Sequence, residues 1–105
     1  MKIHLTAIIK AKAEYRDDVL AVLQHMVTQT RKEEACELYS LHQGLEDKNI
    51  FSFYEIWKNK EGLEAHNQQP YIQEFGELVA EKLQEQPTIL RTTLLYYTTT
   101  WNTEN

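Results

Sequence analysis

The sequence predicts one α+β domain in which two helical regions pack on a single antiparallel sheet. Segments with strand-like alternation and segments with helical spacing occur in the order strand, helix, strand, strand, helix, strand. The chain has 105 residues, the size of one domain, and contains no linker or low-complexity tract that would divide it. Its composition, 42% hydrophobic and 26% charged, is typical of a globular protein.

The first part of the chain is predicted to form a strand and a long helix. Residues 3–11 alternate between apolar and polar side chains, and only Ile8 breaks the pattern. Residues 13–34 carry apolar side chains at helical spacing, namely Tyr15, Val19, Val22, Leu23, Met26 and Val27. Arg31 and Lys32 fall in the last predicted turn, where cations complement the helix dipole.

A hairpin is predicted next, with strands at 36–42 and 50–57 and a turn at 44–49, Gly-Leu-Glu-Asp-Lys-Asn. The second of these strands is apolar on both sides, with Phe51, Phe53 and Trp57 on one side and Ile50, Tyr54 and Ile56 on the other. A strand of this kind is normally covered on both faces. We therefore expect a homodimer in which the sheets of two copies face each other.

The second helical region is predicted to be divided before Pro70. Asn59 is a favourable N-cap for a short helix ending near Asn67, with Glu61 in its first turn. Pro70 then opens a second helix. Its apolar stripe consists of Tyr71, Ile72, Phe75, Leu78, Val79 and Leu83.

Residues 88–100 are predicted to form the final strand, and residues 101–105 a polar tail. The complete order is the ferredoxin-like β-α-β-β-α-β pattern. It predicts a four-stranded antiparallel sheet in which the fourth, first, third and second strands lie side by side. Both helical regions then cover one face of the sheet.

Charge and composition exclude several classes of function. The net charge is −5, and no stretch concentrates Lys and Arg, so we expect no nucleic-acid partner. No apolar run approaches the ~20 residues of a membrane span, and the N-terminus lacks signal-peptide features. A single cysteine, Cys36, allows no intrachain disulfide, and we expect a cytoplasmic protein. The four histidines lack metal-ligand spacing, so we expect no metal.

Two titratable residues are candidates for chemistry. Glu55 lies mid-strand, in line with Phe53 and Trp57, and a buried carboxylate must be paired or protonated. It is either a strand-edge glutamate in a surface ion pair or a cavity carboxylate that holds a histidine or a substrate hydroxyl. His66 shares the inner helix face of Leu63, and a contact with Glu55 would fix its tautomer. The alternative is an ordinary exposed or satisfied histidine.

The aromatic residues have two interpretations. They either line a flat pocket or simply form the core: Tyr39, Phe53, Trp57, Tyr71 and Phe75. The hydroxyls of Tyr39 and Tyr71 need partners when they are buried, which makes these two the more informative.

Two segments carry a resemblance to a known family. Residues 35–42, Ala-Cys-Glu-Leu-Tyr-Ser-Leu-His, resemble the second strand of antibiotic biosynthesis monooxygenase domains, in particular the quinol monooxygenase-like ones. The strand Phe-Ser-Phe-Tyr-Glu-Ile-Trp at 51–57, with Leu-Glu-Ala-His at 63–66 and Pro-Tyr at 70–71, is similar to the family's most telling segment. The resemblance extends from about residue 2 to about residue 95. This chain differs in loops at 11–14 and 34–35, where many relatives carry Pro and Gly.

The resemblance implies a dimeric α+β barrel with one pocket per subunit, between the sheet and the helices. For the enzymes of the family it implies oxygenation of a small electron-rich aromatic substrate by O2, with no flavin, haem, metal or other cofactor. His66 matches the family's helix histidine and would be the base or a hydrogen-bond partner, with Glu55 orienting it or binding a substrate hydroxyl. The ring would lie among Trp57, Tyr71, Tyr39, His42, Phe53 and Phe75. Arg91 would stabilise an anionic intermediate or face outward.

Three other functions remain open for this fold, because fold does not determine function. A haem-degrading relative would bind haem through a histidine. An isomerase acting on a small phosphorylated, sugar-like signal molecule would need cations around the phosphate, for which Arg91 is the only pocket candidate. A ligand-binding or stress-associated dimer would bind aromatics without consuming oxygen.

Overall fold

The structure, a computed structural model, describes residues 1–96. Its elements follow the predicted order: β1 Ile3–Lys10, α1 Arg16–Thr30, β2 Cys36–Gln43, β3 Ile50–Trp57, α2 Lys60–Asn67, α3 Pro70–Lys82 and β4 Thr88–Thr92. A single 3₁₀ turn, Ala13–Tyr15, precedes α1. No helix within residues 1–96 combines the length and the apolar character that a membrane crossing requires.

The four strands form an open antiparallel sheet in the order β2-β3-β1-β4. This confirms the predicted α+β, ferredoxin-like class and the predicted neighbours of each strand. The register pairs Glu55 with Leu5 on one side and with Tyr39 on the other, while Leu5 also pairs with Arg91. Tyr39, Glu55, Leu5 and Arg91 therefore form one row across the sheet, on the face that carries the helices.

Alternate strand residues form the core beneath the helices. The sheet contributes Leu5, Ala7, Ile9, Tyr39, Phe51, Phe53 and Trp57, and α1 contributes Val19, Leu23 and Met26. The opposite face of the sheet, which we call the open face, presents Ile8, Leu38, Tyr54, Ile56 and Leu90. Leu38, Tyr54 and Leu90 are 39%, 38% and 59% exposed, so the two-sided apolar character predicted for β3 leaves one side uncovered in a single copy.

Two predicted helix starts are confirmed. The Asn59 side chain accepts a hydrogen bond of 2.8 Å from the backbone N–H of Gly62, and Pro70 is the first residue of α3. Gly62 also allows α2 to approach the segment that follows α1. A Cβ atom at residue 62 would collide with the Cβ of Ala35, so only glycine permits this packing.

Two predicted boundaries are wrong. The first helix ends at Thr30 and not near residue 34, because the chain tightens into turns in which the N–H of Glu33 bonds the carbonyl of Thr30 at 2.9 Å. The last strand ends at Thr92, which pairs with His4, because β1 offers almost no residues beyond that point. Residues 93–96 are not in a strand. The predicted strand residues 97–100 and the predicted tail 101–105 lie outside the described residues.

Candidate functional site

A cavity of about 370 Å³ lies between the helix-bearing face of the sheet and helices α2 and α3. Its apolar lining is Leu5, Ala7, Ile9, Met26, Phe53, Leu63, Ile72, Phe75, Pro87 and Ile89. Its polar lining is Tyr39, Glu55, His66, Asn67 and Arg91. The site is thus an apolar slot with a few titratable groups, the usual character of a small-molecule pocket.

Glu55 faces this cavity and is 5% exposed, so the interpretation as a surface ion pair is wrong. Its Oε1 accepts a hydrogen bond of 2.8 Å from the Trp57 indole N–H. Burial raises the pKa of Glu55 to about 7, with the Trp57 bond lowering it and the charge of Glu33 raising it. Near neutral pH this carboxyl can therefore both give and take a proton.

His66 also lines the cavity and is 4% exposed. Its Nδ1 lies 2.8 Å from Oε2 of Glu33, and the Tyr71 hydroxyl donates to the same oxygen at 2.5 Å. The expected hydrogen bond between His66 and Glu55 is therefore wrong. Glu33 is the partner of the histidine, and Glu55 bonds Trp57 instead.

The two ring nitrogens of His66 have different surroundings. Burial lowers the pKa of His66, and the hydrogen bond and charge of Glu33 offset part of that effect, so the imidazole is neutral at neutral pH. Nε2 has no hydrogen-bond partner among residues 1–96. A neutral imidazole at a cavity wall, with one ring nitrogen free of hydrogen-bond partners, can act as a general base.

Trp57 and Tyr71 support His66 from behind and do not line the cavity, which differs from the expected position of both rings. Trp57 is fully buried, and its ring centroid lies 4.4 Å from that of His66. The centroid of Tyr71 lies 6.5 Å from the imidazole, with its hydroxyl on Glu33. Strand alternation places Phe53, Glu55 and Trp57 on the same face of β3. Phe53 and Glu55 line the cavity, whereas Trp57, at the end of the strand, packs against the imidazole.

Of the remaining candidates, Tyr39, Phe53, Phe75 and Arg91 line the cavity. His42 does not, because residues three apart in a strand point to opposite faces and Tyr39 takes the cavity side. His42 is exposed, with its Nε2 3.1 Å from Ser40 Oγ.

Glu33 and Thr30 were not predicted from the sequence. Thr30 is fully buried, and its hydroxyl has no hydrogen-bond partner among the described residues. A signal for Thr30 existed, because it continues the four- and three-residue spacing of Val19, Leu23 and Met26 on α1. No such signal existed for Glu33, whose direction depends on where the helix ends.

Residues 1–96 support neither a metal site nor a reactive cysteine. These residues contain no group of three or more His, Cys, Asp or Glu side chains that could hold a metal ion. Burial and the nearby charges of Glu33 and Glu55 raise the pKa of the Cys36 thiol to about 11. This thiol stays protonated near neutral pH and is a poor nucleophile.

Comparison with known proteins agrees with this fold. The sequence model of the antibiotic biosynthesis monooxygenase family matches residues 2–78, and the chain belongs to that family. It is 33% identical over 90 residues to YcnE of Bacillus subtilis, which is provisionally named a monooxygenase, covering 86% of this chain and 95% of YcnE. It is 35% identical over 69 residues to sll1783 of Synechocystis, covering 66% of this chain and about half, 47%, of that longer uncharacterised protein.

Solved structures show the same architecture. PA3566 of Pseudomonas aeruginosa superposes with a TM-score of 0.85 at 26% identity, covering 90% of this chain and 95% of that one. A structure described as an antibiotic biosynthesis monooxygenase superposes with a TM-score of 0.84 at 23% identity, covering 90% of this chain and 99% of the other. At that identity the second likeness concerns the fold alone.

Proposed function

We propose that this chain is a cofactor-independent monooxygenase that oxidises a small electron-rich aromatic, a quinol or phenol, with O2. The observation that carries the proposal is the buried His66 at an apolar cavity, with its Nδ1 bonded to Glu33 and no hydrogen bond to its Nε2 among residues 1–96. Family membership and the provisional name of YcnE support the same reaction class. The cavity of about 370 Å³ is small enough to favour a compact aromatic.

The reaction needs little from the protein beyond a base and a dry pocket. His66 Nε2 takes the proton of a substrate hydroxyl, and the resulting anion gives one electron to O2. The two radicals combine at a ring carbon as a peroxide anion, which takes back the proton held by His66. The resulting hydroperoxide loses water to leave a quinone. One oxygen atom stays on the ring and the other leaves as water, so the substrate supplies every electron and no external reductant is consumed.

Glu55 has a second part in this proposal. Loss of water from the hydroperoxide removes a proton from the ring carbon and delivers one to the departing hydroxide. A carboxyl with a pKa of about 7 serves both transfers near neutral pH. The apolar lining keeps bulk water from competing for these protons. Arg91, at the β4 side of the cavity, is placed to balance negative charge on the oxygenated ring.

We also propose that the chain works as a homodimer joined through the open face, as the apolar residues there favour. A dimer would complete the α+β barrel that the resemblance implies. A reducing, cytoplasmic setting is proposed as well, which the single free thiol of Cys36 favours.

Oxygen consumption by the purified protein, with no added cofactor, tests the proposed reaction. A panel of quinols and polyphenols is offered, and autoxidation is subtracted. We expect turnover with at least one compound, and a loss of about 10²–10⁴-fold in His66→Ala, the usual contribution of a general base. His25→Ala is the matched control, because His25 is exposed on α1 and does not line the cavity, and it should keep full activity.

Three other outcomes would redirect the assignment. Uptake that is equal in His66→Ala and the unaltered protein would remove the histidine from the reaction. Tight binding of an aromatic without uptake would favour a non-catalytic ligand-binding dimer. A Soret band on haem titration would favour a haem protein.

A further inference from the structure

We propose that Glu33, which lies outside the cavity, is the positioning residue of the site. Its carboxylate holds His66 in the tautomer protonated at Nδ1 and thereby makes Nε2 the basic nitrogen at the cavity. The inference deepens the proposed oxygenase function, but the tautomer is a property of the protein without substrate.

The hydrogen bonds around Glu33 define which atoms donate. The Tyr71 hydroxyl donates to Oε2 at 2.5 Å, so this oxygen is an acceptor. The same oxygen lies 2.8 Å from His66 Nδ1, and because this oxygen is the acceptor, Nδ1 carries the hydrogen. The side chains of Glu33 and His66 are only 14% and 5% exposed, which shields the pair from competing water.

Backbone contacts hold Glu33 where it can reach the imidazole. Its N–H donates to the Thr30 carbonyl at 2.9 Å, and its own carbonyl accepts from the Cys36 N–H at 3.1 Å. Two residues later, the Ala35 carbonyl accepts from the Lys58 N–H at 2.9 Å. The segment between α1 and β2 is thus fixed to the end of β3, directly before α2 begins.

Helix α2 then brings His66 to this segment. Gly62 lies against Ala35, and His66 follows one turn later on the same helix face. The close approach at Gly62 therefore sets the separation between Glu33 and His66.

Ring packing restricts the imidazole to this orientation. Trp57 packs at 4.4 Å with an interplanar angle of 42°, and Tyr39 approaches edge-on at 5.5 Å and 64°. Trp57 is itself held by its hydrogen bond to Glu55. With Nδ1 committed to Glu33, the nitrogen that remains for the cavity is Nε2.

The histidine tautomer can be read directly from ¹H–¹⁵N correlation spectra of protein labelled at histidine, with the His66 signals assigned by their loss in His66→Ala. We expect the neutral ring to be protonated at Nδ1. A ring protonated at Nε2 would overturn the proposal, because Glu33 would then be the donor and the cavity nitrogen would not be basic.

Glu33→Gln tests the carboxylate, and Glu34→Gln is the charge-matched control, because Glu34 is the adjacent exposed glutamate. The titratable groups around the imidazole are Glu33, Tyr71 and Tyr39. Glu55 is linked to it indirectly, because Glu55 accepts a hydrogen bond from Trp57, which packs on the imidazole. Since Glu33 raises the pKa of His66, its neutralisation should lower that pKa in an NMR titration. Glu34→Gln should leave the titration unchanged.

Activity gives a second reading of the same variants. We expect Glu33→Gln to lower kcat by about 10–100-fold, the usual effect of removing an orienting partner, with KM changed less than kcat.

Tyr71→Phe keeps the carboxylate and should keep the Nδ1-protonated tautomer. Should His66 titrate identically in Glu33→Gln and the unaltered protein, the positioning role is excluded. An Nδ1-protonated ring in a protein that consumes no oxygen would uphold the role of Glu33 and reject the oxygenase.

Discussion

Glu55 and His66 show how burial prepares a pocket for proton transfer. Burial disfavours the charged form of any group, so it raises the pKa of the carboxyl to about 7 and lowers the pKa of the imidazole. Near neutral pH the imidazole is therefore uncharged and the carboxyl is partly protonated. The neutral imidazole can remove a proton early in a reaction, and the partly protonated carboxyl can relay another proton later.

The raised pKa of Glu55 predicts a pH dependence of stability. Between pH 4.5 and 7 the native protein holds a proton on Glu55 that the unfolded chain releases, so the unfolding free energy falls as pH rises. The change is roughly 3 kcal/mol, from about 1.4 kcal/mol per pKa unit. Glu55→Gln retains an acceptor for Trp57 and should lack this loss, becoming the more stable protein at pH 8.

Urea unfolding of Glu55→Gln and the unaltered protein at pH 5 and pH 8, at one protein concentration, measures this difference. An equal pH dependence in both would mean that Glu55 is ionised in the native state. That result would also deprive Glu55 of its proposed role as a proton relay.

Among the elements, α2 has the most direct influence on the site, through Gly62. Gly62→Ala gains roughly 1 kcal/mol of helix propensity but must displace Ala35, and overpacking of this kind costs about 1–3 kcal/mol. We expect a net loss of stability and, more tellingly, a lower pKa of His66, because α2 moves away from Glu33.

Gly76→Ala is the matched control for this prediction. Gly76 lies in α3, and nothing within 4 Å would meet an added Cβ, so this change should stabilise the protein by about 0.5–1 kcal/mol. Chemical denaturation and the His66 titration provide both readings. Equal stabilisation by the two alanines, with the pKa of His66 unchanged, would show that the packing of α2 accommodates a methyl group at residue 62.

Periodicity predicted the elements better than their ends. Asn59 and Pro70 mark helix starts through local chemistry, the side-chain amide oxygen that accepts from the backbone and the fixed φ angle, and both were readable in the sequence. The end of α1 at Thr30 and the end of β4 at Thr92 depend on partners elsewhere in the fold, a turn against β3 and the length of β1. Such partners are invisible in a local pattern.

On the scale of the whole molecule, the open face is an apolar surface that a single copy leaves exposed. Ile56 lies on it between Leu38 and His4, in a strand whose other side is core. We expect a dimer at micromolar concentration, and Ile56→Glu should give a folded monomer because a carboxylate facing a partner sheet would be desolvated. Sedimentation or light scattering measures this.

Gln24→Glu, on an exposed position of α1, is the control that adds the same charge elsewhere, and it should remain dimeric. A monomeric mass for the unaltered protein would reject the dimer.

The candidate site was partly predictable for the same reason as the fold. Strand alternation places Glu55 and Phe53 on one face, and helical spacing places His66 beside Leu63, so all three were found from sequence. Glu33 was not found, since it meets His66 across 33 residues of chain and only the tertiary packing of α2 joins them. Trp57 and Tyr71 were expected to line the cavity, but their rings pack around His66 instead, because sequence does not show which side of a ring faces the cavity.

Isotope labelling tests the proposed oxygenase most directly. The protein is given ¹⁸O2 and a substrate identified by oxygen uptake, the product is quenched early to limit exchange with water, and its mass is measured. A monooxygenase predicts one ¹⁸O atom per product molecule, no accumulation of hydrogen peroxide, and loss of the labelled product in His66→Ala. An unlabelled quinone with stoichiometric hydrogen peroxide would contradict the account, because oxygen would then only accept electrons and no oxygen atom would reach the ring.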